Sequence, residues 1–282
     1  MVEQNLFLVL IFGLLYTIQM HIAEGMQKHG IGLFSKDTMK EKKRKKSKIW
    51  TIGFILMMTV DIHQIIGLAF GTSTQFTAVF GLGLIALALY SSKLGDESLK
   101  ARKNLGMAAI IIGTCINGIY LVSADPTTLM EASMLNLYIT VAITISLALI
   151  LTFLSLKQYL MPAVGFGFAC GIFSTYTLLF KRVGYTNNLW FIGFSFLMGL
   201  SSVVLMNLGF SKGAEATKLV PVYNSIYIIF PIIIEPILYN DPASKIHYIQ
   251  IIAIIIIVIG IFFITEKKLI IDGQKEENNS SL

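Results

Sequence analysis

The sequence predicts an all-α polytopic membrane protein that crosses the bilayer about nine times. Hydrophobic residues make up 55% of the 282 positions and charged residues only 13%, which is too little charge to cover the surface of a soluble domain. The hydrophobic residues also fall in long blocks, and a helix needs roughly 20 residues to cross a bilayer core. A β-barrel would instead need short segments of alternating polarity, and the sequence has none.

Hydropathy and the polar links between blocks define the predicted spans. The last span is almost entirely isoleucine from Ile249 to Ile264, so we expect it to face lipid. The polar tail at 267–282 is expected to be disordered. The nine predicted helices lie at about 5–25, 49–70, 76–93, 105–123, 134–156, 161–180, 188–210, 217–238 and 246–265.

The basic residues predict the orientation of the chain in a cell membrane. With the amino terminus outside and the carboxyl terminus cytoplasmic, the cytoplasmic segments hold 19 of the 22 Lys and Arg residues. Only Lys181, Arg182 and Lys245 fall outside, which follows the positive-inside rule. The run from Lys42 to Lys46 lies in the predicted cytoplasmic loop 26–48. Such a run ordinarily lies beside anionic lipid, so the bilayer is the expected partner and nucleic acid is not.

A segment of the chain is repeated in the opposite orientation. Residues 49–70 align without gaps with residues 189–210, and seven of the 22 pairs are identical, including Trp50 with Trp190 and Gly53 with Gly193. The copies are the second and the seventh predicted helices, which are five crossings apart, so they must cross the membrane in opposite directions. Inverted repeats are common in secondary transporters. We therefore predict a first repeat of four helices at 1–123 and a second of five at 124–266.

The order of motifs resembles a known group of transporters. Acidic turns precede helices with late glycines, namely Asp96-Glu97 before Gly106 and Gly113, and Asp241-Pro242 before Gly260. This pattern resembles the drug/metabolite transporter superfamily of the EamA-like type. The short first repeat, with Lys28 and Gly30 soon after the first helix, is similar to the NIPA magnesium-transporter branch. The resemblance implies inverted repeats and secondary transport, and it leaves the substrate open because one fold hosts many functions.

A few ionisable side chains inside the predicted spans are the candidates for function. Charged groups at this depth are costly and usually face a cavity or a partner. Asp61 is the strongest candidate, with Gln64 three residues further along the same helix face. We expect Asp61 to take up a proton or bind a cation. His63 points to another face, which predicts a hydrogen-bonded packing residue.

Two other helices carry polar stripes that suit the wall of a cavity. In the first helix the stripe starts at Gly13, and in the eighth it includes Pro231, which removes a backbone donor. Glu24 and Glu235 each come late in their spans, so a role at the membrane interface stays open for both. The predicted solute or ion pathway consists of Asp61, Gln64, His21, Glu24, Thr17, Asn224, Tyr227 and Glu235.

Several function classes are not favoured by the sequence. It has no Walker A loop, no Rossmann glycine pattern and no zinc-type cluster of His and Cys, so we expect no cofactor. The loops are short and lack the polar motifs of a membrane enzyme. The metal requirement stays open, and a homodimer is compatible with the sequence.

We therefore predict a secondary transporter of a small solute that works by alternating access. An organic metabolite or drug would use the aromatic walls that Tyr16, Tyr223 and Tyr227 offer. Mg²⁺ is the alternative, but it needs several oxygen ligands at one place, and the intramembrane carboxylates fall at different depths. A non-transporting scaffold or sensor that binds a partner through the basic loop is the remaining alternative.

Overall fold

A computed structural model describes residues 5–31, 40–93, 101–123, 132–239 and 246–265. Within these ranges all regular structure is helical, and nine spans are long and apolar enough to cross a membrane. This confirms the predicted helical class and the number of spans for the described part of the chain. The predicted tail at 267–282 and the turns Asp96-Glu97 and Asp241-Pro242 lie outside the described residues.

The nine spans are built from eleven α-helices among the described residues, because two of the spans are interrupted. The helices α2 and α3 form the second span, and α4, a short 3-10 helix and α5 form the third. In chain order the elements are α1 (Leu6–Gly30), α2 (Lys40–Thr59), α3 (Asp61–Ala69), α4 (Ser73–Thr77), the 3-10 helix (Phe80–Leu82), α5 (Gly83–Lys93), α6 (Ala101–Ser123), α7 (Met134–Leu156), α8 (Pro162–Thr186), α9 (Trp190–Ser211), α10 (Ala216–Tyr239) and α11 (Tyr248–Thr265).

Three helix ends differ from the prediction, each because polar residues continue a helix beyond its apolar block. The first helix runs to Gly30, and α2 begins at Lys40, so the run from Lys42 to Lys46 is helical and does not belong to a loop. The helix α8 continues to Thr186 and carries Lys181 and Arg182 within it. Lys and Arg are good helix formers, and hydropathy alone does not detect a helix that they extend.

The interruptions have local causes in the sequence. The amide of His63 bonds to the carbonyl of Val60 in a tightened turn, directly beside Asp61. In the third span, Thr72 and Gln75 form a capping box that starts α4. Gly83 then lets the chain pass close to α1, since a Cβ atom there would lie 2.6 Å from Nδ1 of His21.

Two helices form the interior of the bundle and the others surround them. Both α8 and α10 are buried along nearly their whole length. By contrast, α7, α9 and α11 expose large apolar side chains such as Leu149, Phe196 and Ile255, as expected of surfaces that face lipid. The first helix packs on α2, α3 and α5, while α8 packs on α7, α9 and α10.

Glycines hold α6 and α11 in close contact. A Cβ atom on Gly106 would lie 2.7 Å from the carbonyl oxygen of Gly260, and one on Gly260 would lie 2.7 Å from the carbonyl oxygen of Gly106. A Cβ atom on Gly113 would lie 2.8 Å from the carbonyl oxygen of Ala253. Small residues allow helix backbones to approach closely in membranes, so these late glycines have a packing role.

Enlarging this contact should destabilise the bundle. We expect Gly260→Val to lower the free energy of unfolding by about 1–3 kcal/mol, the usual cost of forcing extra methyl groups into a packed interface. Gly193→Val in α9 is the matched control, because a Cβ atom there has no neighbour within 4 Å. Thermal denaturation of the purified protein in detergent measures both variants. Equal loss in the two would contradict the assigned packing.

Candidate functional site

The polar residues selected from the sequence meet between two halves of the bundle. The described residues up to 123 form the amino-terminal half, and those from 132 onward form the carboxy-terminal half. Side chains of α1, α3 and α4 face side chains of α8 and α10 across this contact. They form three clusters, which we name the Glu235 cluster, the Asp61–Lys181 cluster and the His21–Glu24 cluster. From Tyr223 to Glu235 the clusters span about 18 Å along α10 at 1.5 Å per residue.

The Asp61–Lys181 cluster is an ion pair embedded in hydrogen bonds. Nζ of Lys181 lies 2.8 Å from Oδ1 of Asp61 and also donates to Oε1 of Gln64. Gln64 in turn donates to the hydroxyl of Tyr227 at 2.6 Å and to Oγ1 of Thr177 at 3.1 Å. The side chain of Lys181 is 0% exposed and that of Asp61 is 23% exposed. The cluster thus joins α3 of one half to α8 and α10 of the other.

Lys181 was predicted to lie just beyond the end of the sixth span, but α8 continues to Thr186 and the side chain of Lys181 lies inside the bundle. A buried carboxylate requires a charged or hydrogen-bonded partner, and Lys181 provides it for Asp61. Asp61 is therefore paired with a side chain of the protein, a partner that was not predicted when Asp61 was expected to take up a proton or bind a cation. The sequence did contain a signal, because Cys170, Ser174, Thr177 and Lys181 follow one another at spacings of four, three and four on one face of α8.

The Glu235 cluster lies near the ends of α3 and α8. The carboxylate of Glu235 accepts hydrogen bonds from the backbone N–H groups of Ser73 at 2.9 Å and Thr74 at 3.3 Å, and from the hydroxyl of Thr74. It therefore satisfies N–H groups in the first turn of α4 that have no partner within the helix. Arg182 donates to the carbonyl of Gly71 at 2.7 Å. Glu235 is buried, so an exposed interfacial position does not describe it.

The His21–Glu24 cluster lies at the other side of the ion pair. The carbonyl of Phe80, in the break of the third span, accepts the hydroxyl of Thr17 at 3.0 Å and the side-chain amide of Asn224 at 3.3 Å, in addition to the backbone N–H of Gly83. Nδ1 of His21 lies 2.7 Å from the carbonyl of Thr17. Glu24 is fully buried, and neither of its carboxylate oxygens has a hydrogen-bond partner among the described residues. Glu24 therefore does not occupy an exposed interfacial position either.

Aromatic rings fill the space between these clusters. Tyr16 stacks on Phe80 with ring centroids 5.2 Å apart, and its hydroxyl lies 3.3 Å from that of Tyr227. Tyr227 also stacks on Tyr223 at 5.8 Å. The three tyrosines selected from the sequence thus lie together. His63 hydrogen-bonds to Gln19 at 3.1 Å, in keeping with its predicted packing role.

Besides the packing of α6 on α11 and the Lys103–Glu215 pair, hydrogen bonds join the halves on either side of the clusters. Past Glu24, the indole N–H of Trp50 donates to Oδ1 of Asn207 at 3.0 Å, and Asn207 donates to Gln27 at 2.7 Å. Beyond Asp61, the hydroxyl of Tyr185 donates to the carbonyl of Ile65 at 3.0 Å. The described residues therefore connect the halves on both sides of the buried clusters.

Comparisons with known proteins do not assign a family. No family model, no curated protein and no solved structure matches the chain. The resemblance to the drug/metabolite transporters stays a prediction. Across the described ranges, no three residues among His, Cys, Asp and Glu group together as metal ligands would.

The two members of the ion pair should differ in their cost of removal. We expect Asp61→Asn to lower the free energy of unfolding by about 3 kcal/mol or more, because it leaves a fully buried ammonium group without a counter-charge. Lys181→Met should cost less, since the remaining carboxylate is partly exposed. Thermal denaturation in detergent compares the single variants with the double variant, which should recover part of the loss. The reverse order of the single variants would contradict this account.

Proposed function

We propose that the protein is a secondary transporter that moves a small organic solute by alternating access between its two halves. The observation that carries the proposal is the buried Asp61–Lys181 ion pair at the contact between the halves. A packed apolar contact would hold a static bundle together with less desolvation cost. A polar contact can separate and become hydrated when a pathway opens, which a carrier requires in each cycle.

The packing order supports the inverted repeat. The first helix contacts α2 and α5, as α8 contacts α9 and α10. The helices α6 and α11, which end the two repeats, contact each other, and α7 is the additional helix of the second repeat. The amide of Asn5, which begins α1, bonds to Phe70, and α8 finishes near the same end, where Arg182 bonds to Gly71. We therefore propose that α1 and α8, which run in opposite directions, are equivalent helices of the two repeats.

The interrupted helices also support a carrier. Transporter binding sites are often formed where membrane helices break, because the freed backbone groups line a cavity. Here the second span is interrupted beside Asp61, and the third span is broken around Phe80. Both breaks adjoin the buried clusters. We propose that α3, the 3-10 segment and α10 line the pathway, with Gln64 and Tyr227 between the two ends.

An organic solute fits the interior better than Mg²⁺. Mg²⁺ prefers an octahedral set of oxygens and binds through carboxylates that lie close together. The three carboxylates Asp61, Glu24 and Glu235 occupy separate clusters, with Asp61 held by Lys181 and Glu235 held by the first turn of α4. The aromatic group around Tyr16 and Tyr227 offers the apolar walls typical of small-molecule sites.

We propose the orientation that the basic residues favour, with the amino terminus outside and the carboxyl terminus in the cytoplasm of the cell. The start of α2, with Lys43, Arg44, Lys45 and Lys46, would then lie beside the anionic cytoplasmic leaflet. Lys103 and Lys218 bond to Glu215 on the same side. Although partial burial opposes ionisation of Glu215, these hydrogen bonds hold its pKa below the ordinary value.

Flux measurements in proteoliposomes test the transport proposal. Purified protein should take up at least one labelled organic solute from a panel of amines, amino acids and organic anions in response to an ion gradient. We expect Asp61→Asn to reduce that flux about tenfold or more, as expected if the pair contributes 1.4 kcal/mol or more to the limiting step. Tyr227→Phe provides a milder change in the same cluster and should also slow the flux.

Matched variants outside the clusters control for general damage. Ser201→Ala removes a hydroxyl that bonds only to its own helix at Leu197 among the described contacts, so its flux should equal that of the parent. A further variant distinguishes a carrier from a scaffold that binds a partner through its basic segment. It replaces Lys43, Arg44, Lys45 and Lys46 together by Gln. A carrier should retain flux. The absence of gradient-driven flux for the whole panel would remove the transport proposal.

Cys170 provides a native reporter of opening. It is fully buried on α8, and in a Cys115→Ser background it should react slowly with a membrane-impermeant maleimide. Trp50→Phe removes the hydrogen bond to Asn207 that joins the halves on this side. Because one hydrogen bond contributes about 0.5–1.5 kcal/mol, we expect labelling from that side to accelerate several-fold. An unchanged rate in Trp50→Phe would contradict alternating access through this contact.

A further inference from the structure

We propose that the His21–Glu24 cluster is a binding site for a protonated primary amine, whose N–H groups bond to acceptors that lack partners in the closed protein. This inference rests on the proposed function and deepens it by naming the substrate class. Glu24 is central to the site, because both of its oxygens are shielded from solvent and have no hydrogen-bond partner. A buried carboxylate in this situation is expensive unless a cation joins it or it takes up a proton.

The tautomer of His21 supplies a second acceptor. A backbone carbonyl only accepts hydrogen bonds, so the 2.7 Å contact between Nδ1 of His21 and the carbonyl of Thr17 places the proton on Nδ1. In the neutral ring, Nε2 is then a lone-pair acceptor. This atom is buried and lacks a partner. Since His21 and Glu24 are three residues apart on α1, their side chains occupy the same face of the helix.

The opposite wall supplies a third acceptor. Asn224 on α10 donates its amide to the carbonyl of Phe80, the same oxygen that Thr17 contacts, while Oδ1 of Asn224 is buried without a partner. The unpartnered atoms of His21, Glu24 and Asn224 therefore all accept hydrogen bonds. An ammonium group has three donors and no acceptor, which matches this set.

The surroundings of Glu24 favour an amine with a carbon body. Tyr223 and Cys170 are the neighbours that interact electrostatically with Glu24, and the hydroxyl of Tyr223 points to the sulfur of Met20 at 3.2 Å. Aromatic faces attract cations and also cover apolar groups. A quaternary ammonium ion has no N–H donor and leaves the acceptors unsatisfied. An anion would be repelled by the carboxylate of Glu24.

Access to this site requires separation of the halves. Glu24 belongs to α1, whereas Tyr223, Asn224 and Cys170 belong to the carboxy-terminal half. The contact between Trp50 and Asn207 joins the same halves on one side, and the Asp61–Lys181 pair joins them on the other. A ligand bound at Glu24 would therefore be enclosed when both contacts are formed, as a carried substrate must be.

Ligand-induced thermal stabilisation of the full chain in nanodiscs tests the site. The probes are butylammonium, tetramethylammonium, butyrate and Mg²⁺, each as a simple salt at matched ionic strength. We expect butylammonium alone to raise the melting temperature in a saturable way. Glu24→Gln should raise the half-saturating concentration of butylammonium by about tenfold or more, since a charge-assisted hydrogen bond is lost. Asn224→Leu should raise this concentration by a smaller factor, and it provides a second variant if Glu24→Gln does not fold.

Controls separate this site from other carboxylates. Glu215→Gln makes the same chemical change outside the membrane-spanning helices and should leave butylammonium binding unchanged. Equal binding by the parent and Glu24→Gln overturns the inference, because a neutral structural Glu24 would be mimicked by Gln. Glu24-dependent binding of Mg²⁺ or tetramethylammonium in place of butylammonium also overturns it.

Flux measurements distinguish the two proposals. Glu24-dependent amine binding without flux of any solute would support the site and remove the transport function. Flux of a different solute without amine binding would remove the site and leave the transport function standing.

Discussion

The buried ion pair between Asp61 and Lys181 is the interaction on which the rest of the interior depends. It fixes α3 against α8, and through Gln64 it orients Tyr227 and the aromatic group beside it. Its energy is the small difference between a large desolvation cost and a large attraction. Small changes in hydration therefore move this balance, which makes the contact between the halves the adjustable part of an otherwise apolar bundle.

Hydropathy reports the position and length of apolar blocks, and this determines which parts of the fold could be predicted from the sequence. The nine spans could be predicted because each apolar block is long enough to cross the bilayer core, whose thickness sets the length of a span. The ends of α1, α2 and α8 were missed because Lys, Arg and polar residues extend helices without adding hydrophobicity. The break of the third span was also missed, since hydropathy does not detect the capping box of Thr72 and Gln75 or the close approach to α1 that Gly83 allows.

The candidate site divides in the same way. Helical spacing identified the stripes that contain Glu24 and Glu235, and both side chains are buried. Spacing within one helix carries no information about the partner on another helix. Hence the pairing of Asp61 with Lys181, and the hydrogen bonds from the first turn of α4 to Glu235, required the three-dimensional arrangement.

The enclosure of α8 and α10 has a consequence for how the chain enters the membrane. The helix α8 carries Lys181 and Arg182, and α10 carries Glu235 and three internal prolines, and a charged residue within an isolated span opposes insertion. During synthesis we therefore expect α8 and α10 to insert beside helices already in the membrane, because lipid alone does not solvate their charged side chains. Asp61 is synthesised before Lys181. The carboxylate that pairs with Lys181 is therefore already present when α8 enters the membrane.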